Sequence, residues 1–503
     1  MFLFLLFLFP TLVSIFIGWQ DYFFLMEKNL AFFFIFRSCY SFIFLNTLPY
    51  FFLFTAIKNK KFLICVSFVR YFYVFIYLLS FTITGHIPNA SVLLSCFDTN
   101  FKEAIEFFIN IPFTFYFASL LYWSVFIILL RKVKPSPVTK KKTLFFSLCC
   151  FLLFAFLGIV TQSENNLIER MMNAYKNYRS IIKTVADINY SATETEISVT
   201  DKAPSLKRTV VIMIGESETA AVFNEHIPQF SNLLEKDGRN LILVPKAETN
   251  APQTLAVLKD LFLHSVKGNP DNHFNLLNIY RQNGYKTFWL SNHHKQGKCD
   301  DFLYAMTRNV SYRKYYNFYD FGIHNVYGND FHDEILVDGL KETLADPAEK
   351  KIVFLHLFGS HNAYQNRYPD DFHSPLVKSG KKKTYSDHEH YRNAAAYTNT
   401  VLAKIIHTLA GENGINAAVY FSDHGDDPAN PTFREYEKVK DVPLFFWLSN
   451  EYQKQFPKQF KNLSCLQDVY FANLPYIFNQ IIGVDINDIS ASPEIKACFE
   501  KEE

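Results

Sequence analysis

The chain has 503 residues, a net charge of +2 and 55 phenylalanines. Its length exceeds one typical domain and leaves ample room for a buried core. With 50 Lys plus Arg against 48 Asp plus Glu, the overall charge carries no nucleic-acid signature.

Whole-chain averages hide a sharp division. Residues 1–160 are dominated by Phe, Leu and Ile, whereas residues 163–503 read as an ordinary soluble α/β composition. A spanning helix needs ~20 mostly apolar residues, and five stretches qualify: about 2–19, 39–57, 61–84, 109–131 and 143–162. Arg70 interrupts the third; it must face a bundle interior or snorkel from a helix end. The first stretch lacks a basic leader and a small-residue cleavage site, which argues against a cleaved signal peptide. The basic loops KNKK at 58–61 and RKVKPSPVTKKK at 131–142 belong in the cytoplasm. Five spans then carry everything beyond residue 162 to the opposite face, a bacterial periplasm. Residues 20–38 would be an external segment lying at the interface.

Three regions follow: a transmembrane domain of five helices over 1–162, a juxtamembrane segment over 163–206, and a periplasmic catalytic domain over 207–503. Within the second, Leu167, Met171, Tyr175, Tyr178 and Ile182 have helical spacing, so 163–187 is an expected amphipathic helix. Residues 188–206 are polar without periodicity and read as a linker. Cys39, Cys65, Cys149 and Cys150 fall in expected spans and Cys96 in an external loop, leaving Cys299, Cys465 and Cys498 in the soluble part. An oxidising compartment permits pairing. Spacing alone fixes no connectivity; Cys465 with Cys498 is the favoured pair.

From Thr209 onward strands alternate with helices. TVVIMIG is a short, β-branched apolar run of the kind found in a central parallel strand. LILVP, KTFWLSN, KIVFLHLFGSH, AAVYFSDHG and VPLFFWLS read as further strands. TLAVLKDLFLHS, FNLLNIYRQNG, FHDEILVDGLKETLAD and YRNAAAYTNTVLAKIIHTLAGENG read as helices between them. This alternation implies an α/β domain with a mostly parallel sheet covered on both faces. Ligands in such folds bind at the carboxyl ends of the strands. Glu216 follows VVIMIG there, Asn292 and His293 follow KTFWLS, His361 follows KIVFLHLFGS, and Asp423 with His424 follows AAVYFS.

Two acids and a histidine arriving at strand ends suit a divalent cation, and carboxylate oxygens with an imidazole nitrogen are ordinary zinc ligands. Glu216 alone could be a helix-dipole partner, and Asp423-His424 alone a turn. Thr254 opens the apolar helix TLAVLKDLFL, where a threonine often serves as a cap. Its alternative is a nucleophile: a hydroxyl is a poor one unless a metal lowers its pKa, and a helix N-terminus would hold phosphoryl oxygens. His356, inside a strand, is expected to be a satisfied core residue. His293 and His294 form a loop pair, His388 and His390 lie in a polar stretch, and the lysine run at 381–383 before them reads as solvated surface.

Together GES at 215–217, Thr254, FWLSN at 288–292, LFGSHNAYQNRYP at 357–369 and FSDHGDD at 421–427, behind five spans, resemble the membrane-bound phosphoethanolamine transferases of the sulfatase/alkaline phosphatase superfamily. The resemblance implies a zinc ion on Glu216, Thr254, Asp423 and His424. It implies a role for His361 in substrate or leaving-group handling. It also implies transfer of phosphoethanolamine from phosphatidylethanolamine, through phosphothreonine, to a surface glycolipid such as lipid A or the lipopolysaccharide core. Asn292 and His293 would line the substrate pocket. Three positions depart from the pattern. GSHGP reads GSHNA, GESETA lacks the arginine that often follows the glutamate, and no histidine stands between His424 and VPLFFWLS, where Arg434 or Glu435 lies instead. Competing expectations are a phosphoglycerol transferase of the lipoteichoic-acid type, sharing the five-span plan, and an inactive membrane-anchored scaffold. A sulfatase is disfavoured because Thr254-Leu255-Ala256 offers no Cys-x-Pro-x-Arg maturation motif.

Overall fold

The computed structural model describes residues 60–84, 113–133 and 197–500, the last without 204, 266–272, 296–301, 319–330, 379, 381 and 430–434, together with scattered positions elsewhere. The chain divides into two units, Met1–Phe97 with Phe107–Lys176, and Asp98–Glu106 with Asn177–Glu503. In the first, helices Lys60–Thr84 and Phe113–Lys132 match the expected third and fourth spans. Among the described residues Phe113–Lys132 is the helix long and apolar enough to cross a membrane. Tyr71, Val74, Tyr122 and Phe126 pack together, and the Tyr122 hydroxyl donates to the Tyr71 carbonyl at 3.1 Å. Arg70 takes the interior option: it is 4% exposed, with its guanidinium 5.8 Å from the centre of the Tyr73 ring. The expected spans at 2–19, 39–57 and 143–162, and the helix at 163–187, lie almost wholly outside the described residues.

Seven strands form the main sheet of the second unit. They are β1 (Arg208–Gly215), β2 (Leu241–Leu243), β3 (Lys286–Lys295), β4 (Tyr312–Phe318), β5 (Lys350–His356), β6 (Ile415–Ser422) and β7 (Leu444–Leu448), in the spatial order β2-β7-β6-β1-β5-β3-β4. The run from β6 to β4 is parallel; β7 pairs antiparallel with β6, and β2 antiparallel with β7, so the sheet is mixed. Helices α1 (Ala220–Leu234), α2 (Thr254–Phe262), α3 (Ile335–Leu344) and α4 (Asp387–Gly411) help to cover it.

Every residue of β1 is buried, because alternate side chains enter two different cores. Val210, Ile212 and Ile214 pack with Val257, Leu258 and Leu261 of α2, while Val211 and Met213 pack with Phe223 of α1, Leu340 of α3 and Val401 and Leu402 of α4. The register Gly215↔Ser422, Ile214↔His356 and Ser291↔His356 aligns the carboxyl ends of β1, β6, β5 and β3. Glu216, Asp423, His361 and Asn292 therefore emerge along one sheet edge.

Three local expectations change. The helix expected over 254–265 stops at Phe262, and Leu263–Ser265 instead pairs antiparallel with His273–Asn275. The strand YRKYYNF at β4 was not anticipated, because its polar and basic residues lack a strand-like apolar run. Among the described residues it is an edge strand that pairs with β3 alone, a position that tolerates such residues. Part of the expected linker is also structured: Val199–Asp201 pairs antiparallel with Val484–Ile486. Cys465 and Cys498 form a disulfide, the favoured pairing, with their Cα atoms 5.7 Å apart.

Asp201 anchors that linker strand. Its Oδ1 accepts from Arg208 Nη2 at 2.5 Å and its Oδ2 from Lys350 Nζ at 3.0 Å, and the Arg208 side chain is fully buried. Arg208 also donates Nη1 to the Ala203 carbonyl at 2.7 Å. Asp201→Ala would leave a buried guanidinium without its carboxylate, and we expect a loss of about 3 kcal/mol in urea unfolding of the second unit. Burial acts to raise the Asp201 pKa. Bonds from Ala203 N–H, Arg208 and Lys350 outweigh it and set the carboxyl below its ordinary value of 3.8. This stabilisation is thus complete above that ordinary value and is lost as pH falls through the lower, folded one. Asp201→Asn should flatten the acid limb of stability against pH; an unchanged limb would assign it to other carboxylates.

Candidate metal centre

Thr254 is the first residue of α2. The N-cap is Gln253, which makes no side-chain cap bond. The Thr254 hydroxyl does not cap the helix either: it donates to Glu216 Oε2 at 2.9 Å and lies 3.5 Å from His424 Nε2. His424 Nε2 is 3.2 Å from Glu216 Oε1 and 3.5 Å from Asp423 Oδ2. His424 Nδ1 donates to the Gly425 carbonyl at 2.8 Å. A carbonyl only accepts, so Nδ1 carries a hydrogen, and Nε2 is the ring atom turned toward the carboxylates. Ligand atoms of Glu216, Asp423 and His424 all fall within 4.8 Å of one another. All three residues are buried.

The support for these ligands leaves one face open to a cation. Asp423 Oδ1 accepts the backbone N–H groups of Ser217 at 3.2 Å and His424 at 2.7 Å, whereas the buried Oδ2 has no hydrogen-bond partner. Ser217 Oγ donates to Glu216 Oε1 at 2.9 Å, and Tyr391 OH donates to the Ser217 carbonyl at 2.8 Å. These bonds hold Ser217 at φ 63°, a left-handed conformation that costs a non-glycine residue about 1 kcal/mol or more. Burial acts to raise the Glu216 pKa, but His424, with His361 and His293 beyond it, holds the carboxyl well below its ordinary value. Asp423 goes the other way, to about 7, because burial and then the Glu216 charge both oppose its ionisation. Two buried carboxylates and an imidazole nitrogen facing one another fit a divalent metal, and their chemistry fits zinc.

Glu218 shares this environment without joining the ligands. Its Oε2 accepts from Tyr420 OH at 2.5 Å, its Oε1 is buried without a partner, and burial pushes the carboxyl up to about 8 despite the Tyr420 bond.

A second group of residues borders the first. His356 was expected to be satisfied in the core, yet only its Nδ1 is bonded, 3.1 Å from Ser291 Oγ; Nε2 is buried without a partner. His293 belongs to β3 rather than to a solvated loop, and its Nε2 donates to the Leu357 carbonyl at 2.7 Å. Glu216, His293 and His356 also place ligand atoms within 4.8 Å. The two rings, however, lie parallel, 6° apart in tilt with centroids 3.9 Å apart. Imidazole lone pairs point along the ring plane, so one ion at ~2.0–2.1 Å from each nitrogen could not lie in both planes. The pair is better described as a stacked wall beside Glu216. Burial sets the pKa of both histidines below the ordinary value.

His361 stands edge-on to His293, with ring centroids 6.4 Å apart. Asn292 is buried, and its Nδ2 donates to Asp333 Oδ1 at 2.8 Å and to the Phe331 carbonyl at 3.0 Å, so both amide hydrogens are committed within the protein. Of the two residues near the position of the absent histidine, Glu435 is exposed and pairs with Lys438 at 3.1 Å; Arg434 lies outside the described residues. Ser217, Glu218, Tyr391 and Asp333 escape a motif reading. Their contacts form across long separations, and only the GES triplet hints at Ser217.

The sulfatase family profile matches residues 208–470. Phosphoethanolamine transferase EptC of Escherichia coli K12 is 26% identical over 432 residues, covering 76% of this chain and 73% of that protein. Phosphoethanolamine transferase CptA of Salmonella typhimurium is 25% identical over 431 residues, again covering 76% and 73%. Among solved structures, the integral membrane protein lipooligosaccharide phosphoethanolamine transferase A (EptA) from Neisseria meningitidis shares the fold over 95% of both chains, with a TM-score of 0.67 at 18% identity. The periplasmic domain of Escherichia coli EptC, in a complex with zinc, covers 61% of this chain and 91% of that one, with a TM-score of 0.50 at 24% identity. This chain belongs to the sulfatase family, alongside relatives that are phosphoethanolamine transferases.

Proposed function

We propose that this chain is a zinc-dependent phosphoethanolamine transferase, a multi-pass protein of the bacterial inner membrane with its catalytic unit in the periplasm. It transfers phosphoethanolamine from phosphatidylethanolamine to lipid A or the lipopolysaccharide core. The observation that carries this reading is the Thr254 hydroxyl, 2.9 Å from Glu216 Oε2 and 3.5 Å from His424 Nε2, at the first turn of a helix. The names of the curated relatives supply the transferred group, and the zinc complex of a fold neighbour supports the choice of metal.

Glu216, Asp423, His424 and Thr254 would hold the zinc, which when bound lowers the pKa of a nearby hydroxyl and offsets charge on phosphoryl oxygens. Thr254 Oγ1 attacks the donor phosphorus, the bond from phosphorus to the glyceride oxygen breaks, and diacylglycerol departs after taking a proton. Glu216 Oε2 fixes the direction of the threonine hydrogen. By accepting that hydrogen bond, Glu216 orients the hydroxyl. The free backbone N–H groups at the start of α2 face the phosphoryl oxygens. His361 serves the leaving oxygen. In the second step an acceptor oxygen attacks the phosphothreonine phosphorus, the bond to Thr254 Oγ1 breaks, and the threonine recovers its proton.

The test uses full-length protein in vesicles containing phosphatidylethanolamine or phosphatidylglycerol, with diacylglycerol release as the readout. Mass spectrometry of lipid A and core from cells with and without the gene then locates the product. Release only from phosphatidylethanolamine is expected. Consumption of phosphatidylglycerol instead would replace this reading with a phosphoglycerol transferase.

A further inference from the structure

The turn that leaves β5, Phe358–Asn362, is held at both ends by residues that are absent from the metal ligand set. At its start stands Asp333, 3% exposed, just before α3. Asp333 Oδ1 accepts the Phe358 N–H at 2.8 Å and Asn292 Nδ2 at 2.8 Å, and Oδ2 accepts the Gly359 N–H at 2.8 Å. These three donors satisfy a buried carboxylate that would otherwise be costly. At the end of the turn, Arg367 donates Nε to the His361 carbonyl at 3.2 Å and Nη2 to the Asn362 carbonyl at 2.7 Å. Its guanidinium lies 3.9 Å from the centre of the Phe358 ring.

The gripped turn abuts the metal centre through backbone atoms. Ser360 N–H donates to the Glu216 carbonyl at 2.9 Å. Gly359 has φ +53°, and a Cβ there would sit 2.7 Å from the Glu216 carbonyl oxygen, so the contact requires glycine. Phe358 stacks on His293 with centroids 4.6 Å apart and meets the His361 ring edge-on at 5.4 Å. A shift at either grip would therefore displace His361 while leaving Glu216, Asp423 and His424 on their own strand ends.

We propose that Asp333 and Arg367 are positioning residues for phosphoryl transfer, acting together through the Phe358–Asn362 turn to set where His361 stands against His293 and Phe358. The inference rests on the transferase reading. A misplacement of about 1 Å can cost about 100-fold in rate, and Asp333→Asn replaces one acceptor oxygen by a donor that faces N–H groups. The expected result is a fall in kcat of about 10- to 100-fold, little change in KM for phosphatidylethanolamine, and unchanged zinc content. Arg367→Lys should act in the same direction. In a double-mutant cycle with His361→Ala, Asp333→Asn should add little further loss, because it acts through His361; a merely structural role would add its loss in full.

Amide hydrogen exchange provides a readout independent of turnover. Protection of residues 357–362 should fall in full-length Asp333→Asn protein, while that of β1 and β6 stays unchanged. Unaltered exchange in the turn, or a kcat loss matched by an equal loss of zinc, overturns the proposal. If the parental protein releases no diacylglycerol, the transferase reading fails on that result, and the exchange measurement still decides whether Asp333 holds the turn.

Discussion

Thr254→Ala should abolish diacylglycerol release, lowering the rate by at least about 1,000-fold, equivalent to about 4 kcal/mol of lost transition-state stabilisation. The reason is local. The hydroxyl is the group aimed at Glu216 Oε2, and nothing in the helix cap depends on it, because Gln253 occupies the cap position. The variant should therefore fold normally and retain most of its zinc through Glu216, Asp423 and His424. Intact-mass spectrometry after brief exposure to phosphatidylethanolamine should find a phosphoethanolamine adduct on the parental chain and none on the variant. Thr254→Ser, which keeps a hydroxyl, should retain both adduct and turnover at a reduced rate. Equal activity in parental and alanine proteins would remove the nucleophile assignment.

Asp423→Asn should have the next largest effect. Asp423 Oδ1 is occupied by the Ser217 and His424 N–H groups, so the oxygen left for a cation is Oδ2. The amide preserves the shape but removes the charge, and a flipped amide would point its hydrogens at those N–H donors. Zinc affinity should fall by more than the about 10- to 100-fold typical of residues that only support a ligand. Activity should fall with it and return partly at high zinc. Chelation of the parental protein should silence transfer, and zinc readdition should restore it. Full activity in a protein shown by elemental analysis to be metal-free would end the zinc assignment.

Much of this centre was legible because each element carries a self-contained signal. TVVIMIG is a buried strand wherever it is read, and each of Glu216, Asp423 and His424 directly follows such a run. Thr254 was legible as a helix start, although only the structure separates its hydroxyl from a cap. The connections between elements were not legible. Ser217 N–H reaches Asp423 across 206 residues, and Asp333 meets Phe358 and Gly359 across 25 and 26. Those bonds use backbone groups, which every residue has, so no side-chain motif announces them. β4 escaped for a different reason: an edge strand needs only one partner and one buried face, which lets YRKYYNF keep a composition resembling a loop.

The pairing of Val199–Asp201 with Val484–Ile486 has a consequence for where the polypeptide could be severed. A cut before Ile197 would leave the stitch between Val199–Asp201 and Val484–Ile486 whole, with Asp201 still seated on Arg208 and Lys350. A cut only a few residues later, between Asp201 and Arg208, would take the carboxylate from the buried guanidinium, leaving it the Tyr285 hydroxyl, and strip the partner from the strand Val484–Ile486. A released enzyme that begins at 197 should therefore resist further digestion, whereas one beginning at 207 should fray from both ends at once.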